Sequence, residues 1–326
     1  MTAENPKPER VCAVIPTYNC KQPLEKCLDV VRRQTRPVDE IIVVDNASTD
    51  GTQEMIQERF VPNITYVRLP ENLGGSGGYN KGMRLAYEHG HEWIWCLDSD
   101  ALPSETTLND MLSAECSSKA PVVAKACALR DPQTGLLYPG GYFESRKRAK
   151  DASFPQAAWV GKTVPVDSAT LCCLLVRSDA AQRAGFIDPG LFIYLDEFFF
   201  SRELKAQGEI ALVGTTVVEH RYWAGGRSRI WGQSRFPVEE HWRMYYQYRN
   251  RFLYEKRYIG PFRALGKQTY LYLRRLAAIL ILDDHKLYRS GILTKALWDG
   301  LLGRKGIRVQ PRDFERRYKR SSAPHQ

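Results

Sequence analysis

Between Val11 and Leu97, four short apolar runs alternate with three segments of helical pattern. The runs are Val11 to Pro16, Ile41 to Val44, Ile64 to Leu69 and Trp93 to Leu97. Each has the length of a buried strand. After the first, Pro23 opens a segment with Leu24, Cys27, Leu28 and Val31 at the i, i+3, i+4, i+7 spacing of one helix face. After the second, Thr49-Asp50 stands where it can cap a helix over Gln53 to Phe60. After the third, a glycine-rich loop leads into a helix over Asn72 to His89. A β-α-β-α-β-α-β order leaves few topologies, because crossovers between parallel strands are right-handed. It predicts an α/β fold with a mostly parallel twisted sheet flanked by helices. The loops at the carboxyl ends of such strands line one crevice. Thr17, Asp45, Asn72 and Asp98 each follow a strand and are expected around that crevice.

Past Asp100 the pattern changes. Ser104 is placed to cap a helix, Val122 to Cys127 reads as a strand, and 130–165 reads as irregular hairpins. Val164 to Val176 reads as one longer strand with Asp167 near its start. Phe192 to Leu195 leads to Asp196-Glu197 and a helix to Ala206. An apolar strand then runs from Gly208 to Glu219-His220. From Glu239 the pattern is helical, aromatic and basic. The expected division is a catalytic domain over 1–222 and a helical, basic C-terminal extension over 223–326.

Charge follows that division. Residues 1–220 carry a net −6 and residues 221–326 a net +16, giving the overall +10. A basic third with interspersed aromatics implies an anionic partner surface, either phospholipid or nucleic acid, against the plain alternative of a solvated basic tail. The segment from Met1 to Arg10 has no apolar core, so no secretory signal is expected. The run Leu276 to Leu282 is far shorter than the about 20 residues that span a bilayer. None of the eight cysteines forms C-x-x-C, so neither a disulfide framework nor a zinc motif is expected, and the chain reads as cytoplasmic.

Several residues carry candidate chemistry. Asp98-Ser99-Asp100 ends a buried strand with two hard oxygen ligands, which suits a divalent cation holding a diphosphate; by itself such a pair is equally an ordinary strand-end turn. The loop Asn72-Leu73-Gly74-Gly75-Ser76-Gly77-Gly78 lets backbone approach a ligand at a helix N-terminus, or is a plain connector. It follows the third strand rather than the first, which excludes a dinucleotide fingerprint. Asp45 can accept a base imino or ribose hydroxyl hydrogen, or serve a turn. Asp196-Glu197 lies in an aromatic, apolar setting that raises a carboxylate pKa and suits a general base, or it is a helix N-terminal acid pair. His220 gains a role only if it converges with Asp98 and Asp100. The stretch from His241 to Phe252 could stack bases, pack on the crevice or lie at a lipid headgroup layer.

Taken in order, Val14-Ile15-Pro16-Thr17-Tyr18-Asn19, Val44 to Thr52, the loop from Asn72 to Gly82, Asp98-Ser99-Asp100, the acid pair and Val218-Glu219-His220 resemble inverting glycosyltransferases of family 2, which have the GT-A fold. Tyr245-Tyr246-x-Tyr248-Arg249-Asn250-Arg251 and the segment from Leu297 to Arg304 look like the tail of the rhamnosyl- and galactofuranosyltransferase branch, and the glycine loop looks like that of galactofuranosyltransferases. The resemblance implies that Thr17 and Asp45 hold the nucleoside. It places Asn72, Gly74 and Gly75 beside the diphosphate and sugar, and Asp98, Asp100 and His220 on Mn²⁺ or Mg²⁺. It implies Glu197 as base, where the family usually has Asp, with Asp196 in reserve. It also implies a nucleotide-sugar donor, best matched by UDP-galactofuranose, with dTDP-rhamnose as the alternative. The implied acceptor is a polyprenyl-diphosphate-linked glycan at the cytoplasmic face of the inner membrane, contacted by Asp167 and Trp223. Trp223, Trp231, Trp242 and Trp298 in the basic segment suit peripheral attachment to anionic lipid. A nucleic-acid-binding protein is the reading from another class; it leaves the ordered acidic motifs unexplained, and no nucleic acid is expected as partner.

Overall fold

The computed structural model describes residues 9–61, 64–142, 155–220, 229–230, 233–234 and 236–310. Two compact units emerge. One comprises the described residues up to Pro189 together with Glu197 to His220; the other comprises Gly190 to Asp196 with the described residues beyond 228. Seven residues ahead of position 197 thus pack with the C-terminal region.

The first unit is built on β1 (Val11–Thr17), α1 (Lys21–Arg32), β2 (Glu40–Asp45), α2 (Thr52–Arg59), β3 (Thr65–Arg68), α3 (Gly74–Glu88) and β4 (Trp93–Cys96). It continues through β5 (Leu102–Pro103), α4 (Thr107–Ser113), β6 (Val122–Arg130), β7 (Leu137–Pro139), β8 (Gly141–Tyr142), β9 (Thr163–Val166), β10 (Ser168–Ala169), β11 (Leu174–Arg177), α5 (Ser178–Arg183), α6 (Asp196–Lys205) and β12 (Glu209–Glu219). The main sheet runs β3-β2-β1-β4-β11-β6-β12-β5. From β3 to β12 every strand but β11 points the same way. The carboxyl ends of β1, β2, β4 and β12 therefore share one edge. The run from Val11 to Ile15 is apolar throughout because both sheet faces are covered. Cys12 and Val14 enter one core layer, while Val11, Ala13 and Ile15 enter the other with Leu24, Cys27, Leu28 and Val31 of α1.

Three local readings change in the folded chain. The glycines of the loop belong largely to α3 itself. A Cβ on Gly82 would stand 2.3 Å from Val14 Cγ1, and one on Gly78 2.7 Å from Pro16 Cβ, so these two let α3 lie against β1. Val164 to Val176 is not one strand but β9, β10 and β11, interrupted by a turn at which Cys173 takes φ +60°. The stretch pairs with four partners, since β9 runs along β12, β10 along β8, and β11 between β4 and β6. The helix after Thr49-Asp50 starts at Thr52, whose amide donates to Asp50 Oδ1 at 3.2 Å.

The second unit packs α7 (His241–Tyr258), α8 (Pro261–Leu282) and α9 (Lys286–Leu301) around Phe236, Tyr245, Tyr246, Ile279 and Leu293. Arg249, Arg275 and Arg289 are fully buried, and each is matched to acceptors. Arg275 pairs with Asp283 at 3.0 Å, Arg289 donates to the Phe236 carbonyl, and Arg249 donates to the carbonyls of Leu191 and Gly306. Each of these buried guanidinium groups thus meets at least one acceptor, which offsets part of the cost of burying its charge. No helix among the described residues is long and apolar enough to cross a membrane.

Candidate active site

Asp98 leaves β4 one residue after Leu97, whose amide is still bonded to Val14. The chain then turns, the Ala101 amide closing on the Asp98 carbonyl at 3.0 Å, which brings Asp100 back toward Asp98. His220 arrives from the far side of the sheet, immediately after β12, its amide held by the Arg130 carbonyl. Its Nε2 lies 3.3 Å from Asp98 Oδ2 and 3.5 Å from Asp100 Oδ1. The three residues expected to converge do so, although 119 positions separate Asp100 from Glu219 and its successor is the histidine.

Two tyrosines that the sequence did not point out orient this group. Tyr79, on α3, donates its hydroxyl to Asp98 Oδ1 at 2.7 Å, which leaves Oδ2 to face the histidine. The Tyr138 hydroxyl lies 3.1 Å from His220 Nδ1 and 3.2 Å from the His220 carbonyl oxygen. Both bonds are made when Nδ1–H donates to the hydroxyl oxygen and the hydroxyl donates to the carbonyl. That arrangement aims Nε2 at the carboxylates. Cys172, on the turn before β11, is the third unforeseen member: its sulfur, the imidazole and an Asp98 oxygen lie within 4.8 Å of one another.

The electrostatics are those of a cation site. Burial pushes the Asp98 carboxyl up, but hydrogen bonds and charge from His220, with Tyr79 behind them, hold it below its ordinary value. Burial alone would lower His220, yet Cys172, Asp100 and Asp98 hold its imidazole well above its ordinary value. A positive charge is thus favoured where the two carboxylates meet. Carboxylate oxygens and one imidazole nitrogen, converging from rigid strand ends, fit a Mn²⁺ or Mg²⁺ ion in donor type.

The remaining expected residues are distributed along the sheet edge. Thr17 and Asp45 are register partners at the ends of β1 and β2. The Thr17 hydroxyl is buried and finds no partner among the described residues. Asp45 is fully buried and already accepts from the Ser48 amide (2.8 Å), the Tyr66 hydroxyl (2.5 Å) and Arg68 Nη1 (2.8 Å). Asn72 accepts from the Gly74 amide at 2.8 Å, which fixes the start of α3 at a residue with φ +74°. The space above Gly75 is open. Glu197 is half-buried in the first turn of α6, and Asp196 is buried at its first position. Asp167 follows Val166, which pairs with Ile210 near the amino end of β12; His220 stands past the other end. Trp223 lies outside the described residues.

A family model described as glycosyl transferase family 2 matches residues 12–176. The chain belongs to that family. Family membership makes the protein a glycosyltransferase. It is similar to the galactofuranosyltransferase GlfT1 of Mycolicibacterium smegmatis, with 34% identity over 209 residues, covering 61% of this chain and 67% of the relative. It is also similar to an N-acetylglucosaminyl-diphospho-decaprenol L-rhamnosyltransferase of Mycobacterium tuberculosis, with 26% identity over 239 residues, covering 65% of this chain and 76% of the relative. Among solved structures, a mannosyltransferase from Pyrobaculum calidifontis in complex with GDP-Man and Mn²⁺ superposes with a TM-score of 0.55, at 18% identity, over 90% of this chain and 88% of that one. At that identity the likeness speaks for the GT-A fold.

Proposed function

We propose that this family 2 glycosyltransferase transfers a sugar, with inversion, from a nucleotide diphosphate donor to a hydroxyl of a lipid-linked glycan, and that its donor is UDP-galactofuranose. The observation that carries the reading is the convergence of Asp98, Asp100 and His220 from the ends of β4 and β12, in a chain 34% identical to a galactofuranosyltransferase. These three residues would hold Mn²⁺ or Mg²⁺. When bound, such an ion supplies Lewis-acid neutralisation of charge on the departing diphosphate, a term of several kcal/mol. In this reading Thr17 and Asp45, buried at the ends of β1 and β2, would border the nucleoside, and Asn72, Gly74 and Gly75, with open space above Gly75, the diphosphate and sugar. The Glu197 carboxylate takes the proton of the acceptor hydroxyl. The oxygen then bonds to the anomeric carbon from the face opposite the nucleotide as the bond to the diphosphate breaks. Asp196 is the alternative base. Replacing Glu197 by Gln is expected to cost about 10²–10⁴ in transfer rate while leaving UDP binding intact; if Asp196→Asn does so instead, the register of the pair is one residue off.

The acceptor reading draws on the rhamnosyltransferase relative, whose name specifies a diphospho-decaprenol acceptor. It is supported by the outer face of α8, where Phe262, Leu265, Tyr270, Leu273 and Leu280 recur at helical spacing and are exposed beside Arg263 and Lys267. An apolar stripe flanked by cations suits the cytoplasmic, anionic membrane surface on which such a lipid resides. That same relative favours a second donor, dTDP-rhamnose.

The deciding experiment measures nucleotide release with Mn²⁺ from UDP-galactofuranose, UDP-galactopyranose, UDP-glucose and dTDP-rhamnose, using an alkyl glycoside acceptor. Release from UDP-galactofuranose alone, lost in Asp100→Ala, is the expected result. Release only from dTDP-rhamnose moves the protein to the second reading. Silence with all four, together with no metal-dependent binding of UDP or dTDP, overturns the proposal.

A further inference from the structure

A second group of ligating side chains stands at the other edge of the sheet, at the amino ends of β1 and β2. Cys12 and Glu40 are register partners on these strands, so their side chains project to the same face. The turn from α3 to β4 adds His89 and His91. Gly90 between them takes φ +75°, a conformation open to glycine, and this reversal turns both imidazoles toward one carboxylate. His91 Nε2 lies 2.7 Å from Glu40 Oε2, and His89 Nδ1 lies 3.0 Å from Oε2 and 3.1 Å from Oε1. The Cys12 sulfur, a Glu40 oxygen and a His91 nitrogen lie within 4.8 Å of one another; the His89 ring, held by Glu40, lies outside that trio and would swing in as the fourth ligand. Cys12 and His91 are buried, while the His89 side chain is 40% exposed and leaves the group open on one side.

We infer that Cys12, Glu40, His89 and His91 form a zinc site. The donor set is two imidazoles, one carboxylate and one thiol, four in number and borderline-soft, which is the composition that Zn²⁺ prefers over Mn²⁺ or Mg²⁺. Bond lengths of about 2.0–2.3 Å set tetrahedral donor separations of roughly 3.3–3.8 Å. The imidazole–carboxylate pairs are closer than this by under about 1 Å, so rotation of the exposed His89 and of Glu40 opens the space. Four protein ligands leave no position for substrate, which makes the site structural: it ties the α3–β4 turn to the first two strands. The ligands come from three separated segments, none spaced as a zinc motif, which is why cysteine spacing gave no sign of it. The competing arrangement is a metal-free network in which both histidines and Thr65 simply hydrogen-bond to Glu40.

The two arrangements are separated by titrating the metal-free full-length protein with Co²⁺ and then displacing it with Zn²⁺. Because Cys172 offers sulfur to the Asp98–His220 group, the titration is run on Cys172→Ser. A thiolate-to-cobalt charge-transfer band at one equivalent, with the intense visible bands of tetrahedral cobalt, is expected there. It should vanish in Cys172→Ser/Cys12→Ala and return to baseline on adding Zn²⁺. His89→Ala, a partly exposed position whose loss leaves the core packed, should weaken Zn²⁺ binding at least about tenfold and abolish the fall in melting temperature that chelation produces in the parent protein. Absence of the band in Cys172→Ser, or its survival without Cys12, overturns the site. If Cys12→Ala fails to fold, unchanged Zn²⁺ affinity in His89→Ala does the same. None of these outcomes bears on the transferase reading.

Discussion

Asn250 Nδ2 stands 2.8 Å from the carbonyl oxygen of Tyr194, two residues ahead of the acid pair. The same amide reaches the carbonyls of Ile193 (2.9 Å) and Leu191 (3.0 Å), and its own oxygen accepts from Arg249 Nε at 2.8 Å. The segment so held is strained: Phe192, Tyr194 and Leu195 have φ of +69°, +68° and +60° without being glycine. Each such residue costs about 1–3 kcal/mol and persists only where its surroundings over-determine it. Phe192 also stacks on Tyr246 with ring centroids 4.6 Å apart.

Asn250→Ala removes this donor from the part-buried carbonyls of Ile193 and Tyr194, while the Leu191 carbonyl keeps Arg249. A loss of about 1–3 kcal/mol in stability is expected, and relaxation of the strained segment should displace the acid pair enough to lower kcat about a hundredfold. UDP affinity should hold. Steady-state nucleotide release and UDP titration on the folded variant check this; a drop in UDP affinity with unchanged kcat would refute the assignment.

Tyr138→Phe tests the orientation of His220. Without the hydroxyl, Nδ1 loses its anchor, and Mn²⁺ affinity measured by calorimetry in the presence of UDP should fall about 10–100-fold. Asp100→Ala should cost at least as much, because it removes an oxygen ligand outright. Tyr138→Phe binding Mn²⁺ as tightly as the parent would reduce the tyrosine to packing.

His241 gives the helical unit a pH dependence of known sign. The ring is buried and its Nδ1 accepts from Arg289 Nη1 at 2.8 Å. Burial first, then Arg289 and Arg275, lower its pKa from 6.5 to about 2. Below pH 6.5 the unfolded chain therefore takes up a proton that the folded chain refuses. The stability this neutral ring supplies is whole above pH 6.5 and declines as pH falls toward 2, by up to about 1.4 kcal/mol per unit. Urea unfolding from pH 7 to 4.5 should show a shallower decline in His241→Gln, which keeps an acceptor for Arg289 but does not titrate; parallel pH curves would contradict this.

Phe262 and Leu287 are 89% and 91% exposed. If the exposed residues of α8 and the start of α9 meet lipid, Phe262→Ser with Leu287→Ser should weaken binding to anionic vesicles by about 1.5–3 kcal/mol per fully buried side chain. Raising the salt should weaken binding of the unaltered protein as well. Vesicle sedimentation reads both, and salt-independent binding, or none, would count against membrane attachment.

The alternation of apolar runs and helical faces made the parallel half of the sheet legible, since that pattern follows from the need to cover both faces of β1, β2 and β4. The stretch around Val164 to Val176 was not legible. Its apolar residues serve four different partner strands, and a run of hydrophobic positions carries no mark of where one pairing ends and another begins. The glycines of the third loop were read for a ligand, yet Gly78 and Gly82 are small because Pro16 and Val14 lie against them.

Chain order brought Asp98, Asp100 and His220 to one edge, because strand ends in an open α/β sheet share an edge; their role as cation ligands came from the family resemblance and is part of the proposed function. Tyr79, Tyr138 and Cys172 could not be named that way: a hydroxyl or thiol has no periodicity, and its partner is set by how α3, β7 and the turn before β11 pack. The same holds for Asn250, whose side chain acts on a segment more than fifty residues earlier. The sequence by itself determined the alternation of strands and helices in the first half of the chain and the polar residue types that follow those strands, both local consequences of hydrophobic pattern and residue type. Only the tertiary structure decided which neutral side chains orient those ends, because hydrogen-bond partnership depends on three-dimensional distance and leaves no trace in sequence spacing.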